Sequence, residues 1–129
     1  MNPAPGFRKY PAHRVSINPS NAHVRVMLGG EVIADTREAL ELHESVGEGK
    51  KTVAPVVYYV PRKDVKMDRL AHTAHRTHCP FKGDASYFSV VDGPENAVWS
   101  YESPYDEMAA IRERLAFYPD KFEIKSSAA

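Results

Sequence analysis

Cys79, Lys82 and His78 fall within the stretch THCPFKGDASY, Thr77 to Tyr87, and each side chain carries a distinct chemistry. A cysteine becomes a nucleophile when nearby positive charge favours its thiolate, and His78, His75 and Lys82 are close in sequence. Cys79 with His78 as its base is therefore one candidate catalytic pair. Against it, cysteine is often buried as a small hydrophobe, and sequence neighbours seldom face one another inside a site. Pro80 biases Cys79 to extended backbone, and Gly83 supplies a turn that restarts a strand at Ala85. His72, His75, His78 and Cys79 offer imidazole and thiolate ligands for zinc. Their spacing matches neither paired C-x-x-C nor H-E-x-x-H, so neither a metal nor a cofactor is assigned. In Lys82-Gly83 the glycine follows the lysine and G-x-x-x-x-G-K-[ST] is absent, so no P-loop is present.

A second constellation is cationic and aromatic. Arg62, Lys82, Tyr59, Tyr87, Trp99 and Tyr101 lie on or beside expected strands that border a long connection. Aromatic walls with one or two fixed charges suit a small planar or anionic ligand, arginine giving bidentate recognition of carboxylate or phosphate. The competing reading is that these rings fill the core, Trp99 above all. Glu44 is expected to face Arg62 across the sheet as an ion pair, and it joins the candidate ligand-binding set.

The elements that must position these groups follow from pattern and punctuation. The opening 23 residues carry four prolines and little periodicity, which predicts an extended arm (1–23) and argues against helix. Val24, Val26 and Leu28 alternate before Gly29-Gly30, and Val32 and Ala34 follow, predicting a hairpin. TREALELHE mixes helix formers with an alternation of Leu40 and Leu42, and is assigned to a strand. SVGEGKKTVAP is expected to be a mobile surface loop, and Val56 to Val60 a strand. Pro61 to Asp84 shows no sustained period and is expected to be a long ordered loop. ASYFSVV and AVWSY predict a second hairpin across DGPEN. Met108, Ile111 and Leu115 recur at helical spacing behind an acidic turn, predicting a short helix near 105–114.

With 129 residues the chain has the length of one domain with a real core, here 24–125, followed by a tail at 126–129. Lys plus Arg and Asp plus Glu both number 17 and are interspersed, which leaves no basic face for nucleic acid or an anionic membrane. The single cysteine excludes an internal disulfide, and the N-terminus lacks the apolar run of a signal peptide. No stretch approaches the length of a membrane helix. The expected setting is cytoplasmic, as a monomer or weak homodimer.

VVYYVPRKDV, THCPFKGDASY, AVWSYESP and LAFYPDKFEI, in that order, resemble the domain-of-unknown-function 427 family, also filed under a nucleotidyltransferase-type name. The resemblance runs from about residue 13 to 124. It implies a mainly β domain of the Mss4-like or β-tent type, two antiparallel sheets splayed from a common edge with a cleft between. The structural zinc of many tent domains needs two cysteine pairs, which a one-cysteine chain lacks. Glu44, Tyr59, Pro61, Arg62, Cys79, Lys82, Gly83, Tyr87, Trp99 and Tyr101 occupy the family's motif positions, and no activity comes with them. The resulting expectation is a pocket between sheets, bounded by the 62–84 connection and lined by Arg62, Lys82, Trp99 and Tyr101. A cysteine-dependent enzyme and a protein-interaction module are the alternatives.

Overall fold

The computed structural model describes residues 2–46, 51–52 and 55–128. These form a mainly β structure of three antiparallel sheets, where two were expected. In the first sheet, β1 (His13–Pro19) pairs with β4 (Leu40–Val46), which also pairs with β5 (Lys51–Thr52) and β6 (Val57–Tyr59). A second sheet runs β10 (Leu115–Phe117), β9 (Val98–Ser100), β8 (Gly83–Val90), β7 (Leu70–Cys79). The third runs β11 (Glu123–Ala128), β2 (Ala22–Leu28), β3 (Glu31–Thr36).

The β8–β10 sheet is the middle layer, because its alternating side chains feed two different cores. Phe88, Val90, Val98, Leu115 and Phe117 pack with Val26 and Ile33 of the third sheet. Ala85, Tyr87, Trp99, Tyr101 and Ala116 pack with Leu42 and Tyr59 of the first. Strand geometry sends successive side chains to opposite faces, so one β8–β9–β10 ribbon can serve both layers. Two cores on the two faces of one sheet call for a covering sheet on each, which is the third sheet that the sequence did not reveal.

The Gly29-Gly30 hairpin forms as expected, both glycines at positive φ (56° and 85°), the twist that suits a two-residue connection. β4, β6 and the β8–β9 pairing also match expectation. The N-terminal segment differs. Pro5–Lys9 is one turn of helix with proline at its start, a position that needs no proline N–H, and β1 is a full member of the first sheet. Residues 126–128 extend β11 along β2 and are no tail. The described residues finish in the strand β11, and the expected 105–114 helix is a 3-10 segment, Asp106–Ile111. It stops because Leu115 must register against Ser100, leaving Glu113 at φ 63° to reverse the chain.

The largest departure is β7, ten residues within the expected 61–84 loop. It is an edge strand whose central residues are nearly all exposed, so no apolar alternation marks it. Of SVGEGKKTVAP, residues 47–50 and 53–54 lie outside the described residues, and Lys51–Thr52 pairs with Val46 and Ser45. No described helix is long and apolar enough to cross a membrane.

The N-terminal turn is seated on the β7–β8 corner: Gly6 N–H donates to the Pro80 carbonyl at 2.9 Å. A Cβ on Gly6 would stand 2.7 Å from the Phe81 ring and 2.8 Å from the Pro80 oxygen. Gly6→Ala should therefore lift the turn off the corner and cost about 1–3 kcal/mol in urea unfolding, with faster proteolysis before residue 13. An unchanged midpoint and cleavage rate would show that the contact is not made in solution.

Candidate functional site

Glu44 lies on β4 and Lys82 in the turn between β7 and β8. Lys82 Nζ donates to Glu44 Oε1 at 2.5 Å, and His13 Nε2 of β1 meets the other oxygen, Oε2, at 2.9 Å. All three side chains are largely buried, exposed by 10% for Lys82, 15% for Glu44 and 14% for His13. His13 is held flat against Phe81, ring centroids 3.9 Å apart at 10°. On its other side Lys82 Nζ lies 4.0 Å from Cys79 Sγ. The order of contacts is thus His13, Glu44, Lys82, Cys79, drawn from the three strands β1, β4 and β7 and the turn that joins β7 to β8.

Electrostatics follow from this packing. Burial is the strongest single influence on the Glu44 carboxyl and pushes its pKa up. The hydrogen bond and charge of Lys82, then those of His13, outweigh it and leave the group below the ordinary glutamate value of 4.5. Tyr59 and Tyr101 pack in the same core as Cys79, ring centroids 6.5 Å apart. Burial, with the negative charge of Glu44 adding to it, raises both phenols far above their usual range, so both stay protonated. Tyr59 accepts a hydrogen bond from Trp99 Nε1 at 3.3 Å. Trp99 in turn packs on Tyr118, centroids 4.5 Å apart, and burial pushes the Tyr118 phenol up to about 12.

Six of the expected site residues, Glu44, Tyr59, Cys79, Lys82, Trp99 and Tyr101, therefore share one side of the β8–β9 sheet. Arg62 and His78 do not join them. Arg62 stacks over Phe88 at 5.5 Å on the opposite face and donates to Ser100 Oγ, Glu102 and the Glu113 carbonyl. The expected Glu44 to Arg62 pair is thereby corrected: Glu44 pairs with Lys82 and His13, and Arg62 with Glu102. His78 is next to Cys79 on a strand, so the two side chains leave opposite faces. Its Nδ1 bonds Asp84 at 2.7 Å, out in solvent, and does not serve the thiol. Among the described residues no group of three or more His, Cys, Asp or Glu side chains is arranged to hold a metal ion.

A cavity of about 270 Å³ opens beside the same core, where all three sheets meet. Val57 and Tyr58 wall it from the first sheet, Trp99 and Phe117 from the second, and Val26 and Ile124 from the third, and Val60, just past β6 and bridged to Leu115, also lines it. Neither Arg62 nor Lys82 lines it, so the expected arrangement, cations and indole around one hollow, is divided between separate places.

A family model described as a domain of unknown function, DUF427, matches residues 16–127. The chain belongs to this family. No curated protein matches it. Within this DUF427 domain, Glu44, Lys82, Cys79 and Trp99 fall inside the matched span and His13 just before it. His13 is the site residue that sequence reasoning missed. Its signal was the alternation of His13, Val15 and Ile17 against Arg14, Ser16 and Asn18, which is the half-buried face of β1.

Two outcomes test the ion pair. Lys82→Met leaves a buried carboxylate without its cation and should cost about 3–5 kcal/mol, and a Glu44→Gln, Lys82→Met double variant should recover part of that loss. Because folding lowers the Glu44 pKa, its contribution is complete above the ordinary carboxylate value and is lost as pH falls through the folded value. Chemical denaturation from about pH 5 to about pH 3 should show a shallower decline for Glu44→Gln than for wild type. Identical slopes would mean Glu44 has the same acidity folded and unfolded.

Proposed function

We propose that this domain binds a small, planar and mainly apolar molecule in the cavity where the three sheets meet. The observation that carries the reading is the lining: a hollow of about 270 Å³ walled by Val26, Val57, Val60, Phe117 and Ile124, together with the indole of Trp99. At about 270 Å³ the hollow falls just below the range of about 300–1,000 Å³ for pockets that hold drug-sized ligands, so it suits a smaller molecule, and an apolar wall that includes Phe117 and Trp99 favours a flat ring. An anionic ligand is the weaker half of the sequence expectation. Both candidate cations are already engaged by carboxylates, Lys82 by Glu44 and Arg62 by Glu102. The tent-like architecture belongs to the same reading, since sheets that diverge from a shared edge leave a hollow of this kind.

Trp99 is the only tryptophan in the chain, so its emission reports directly on the cavity wall. Titration with a panel of neutral bicyclic aromatics should shift Trp99 emission and raise Tm. Saturation near a hundred times Kd corresponds to about 2.7 kcal/mol. Val57→Phe, which fills the hollow, should remove both responses. Carboxylated rings binding more tightly than neutral ones, with the difference lost in Arg62→Ala, would overturn the apolar reading.

A further inference from the structure

Cys79 is the chain's only cysteine, so an oxidised Cys79 has no second thiol in the same molecule to resolve it. What it has instead is an amine. Lys82 Nζ stands 4.0 Å from Cys79 Sγ, and the two residues bracket a single tight turn in which Lys82 N–H donates to the Cys79 carbonyl at 3.3 Å. The lysine side chain is nine-tenths buried, so its amine is confined beside the sulfur, while Cys79 is only part-buried and open to a small oxidant. Glu44 Oε1, 2.5 Å from Nζ, is placed to take the ammonium proton that must leave before nitrogen can attack.

We propose that Cys79 and Lys82 are a redox modification site: a peroxide converts them into a sulfenamide that joins Sγ to Nζ. In the first step the thiol and one peroxide give sulfenic acid and water, sulfur losing two electrons and the peroxide gaining them. In the second, Glu44 accepts a proton from the Lys82 ammonium and the freed nitrogen attacks the electrophilic sulfur. An S–N bond forms, the S–O bond breaks, and the hydroxyl leaves as water with the proton from Glu44. The nitrogen sheds its second proton to solvent, for which His13 on Glu44 Oε2 offers an outlet. Two equivalents of a small thiol reverse the reaction, regenerating thiol and amine and leaving one disulfide. A sulfenamide nitrogen is not basic, so the cross-link also removes the cation that Glu44 faces.

The test treats the protein with hydrogen peroxide, quenches without reductant, and maps it with trypsin. The expected product is a species lighter by two hydrogen atoms, in a peptide that begins at Thr77 and runs past an uncleaved Lys82 to Gly83 bond. Dithiothreitol should restore both the mass and the cleavage. In Lys82→Arg, which keeps the charge beside Glu44 but offers no nucleophilic amine, Cys79 should instead proceed to sulfinic acid. If Lys82→Arg fails to fold, the wild-type map decides alone. Cys79 recovered as sulfinic acid or as an intermolecular disulfide with Lys82 free and cleaved would overturn the proposal, as would a cross-link that retains an added oxygen.

Discussion

The ion pair between Glu44 and Lys82 is the constraint on which the arrangement of the layers around it turns. It ties β4 of the first sheet to the β7–β8 corner of the middle sheet, and through His13 it brings in β1. Burying two charges is expensive, and an apolar pair of the same volume is often as stable or more so. Here both carboxylate oxygens are engaged, Oε1 by Lys82 and Oε2 by His13, which offsets part of that cost. The same contacts set the Lys82 amine between a carboxylate and a thiol.

The middle sheet supplies the second organising feature. Its inner strands are buried on both faces, so each face commits to a different partner layer. Trp99 and Tyr101 face the first sheet, and Ser100, on the other face, meets Arg62. Arg62, in a 3-10 turn after β6, meets the Ser100 face, while Lys82, in the β7–β8 turn, meets Glu44 on the Trp99 side, and the cavity at the meeting of the sheets is left with apolar walls. The domain carries a polar centre and an apolar hollow, joined by the Trp99 to Tyr59 hydrogen bond.

Legibility in the sequence followed the strength of local signals. Gly29-Gly30 announced its hairpin because few other dipeptides place two successive residues at positive φ without strain. Tyr59, Lys82, Trp99 and Tyr101 stood out as aromatic and cationic side chains among β-branched strands and Cys79 as a separate reactive one, but residue type could not show that Arg62 and His78 lie apart from them. β7 was not legible, since an exposed edge strand needs no apolar alternation to form: its partner β8 supplies the hydrogen bonds. The N-terminal turn was missed for a related reason, its placement depending on Pro80 and Phe81, far away in sequence.

By itself the sequence determined the mainly antiparallel β class, the family, the two clearest hairpins and the residues able to do chemistry. All of these rest on contacts between near neighbours or on residue type. Tertiary structure alone decided which charges meet. On sequence grounds Glu44 was expected to face Arg62, and it faces Lys82 because the first sheet packs on the Tyr87 and Trp99 side of the middle layer. Periodicity shows that a strand has an inner face, but what lies across from that face is settled only when the layers close on one another.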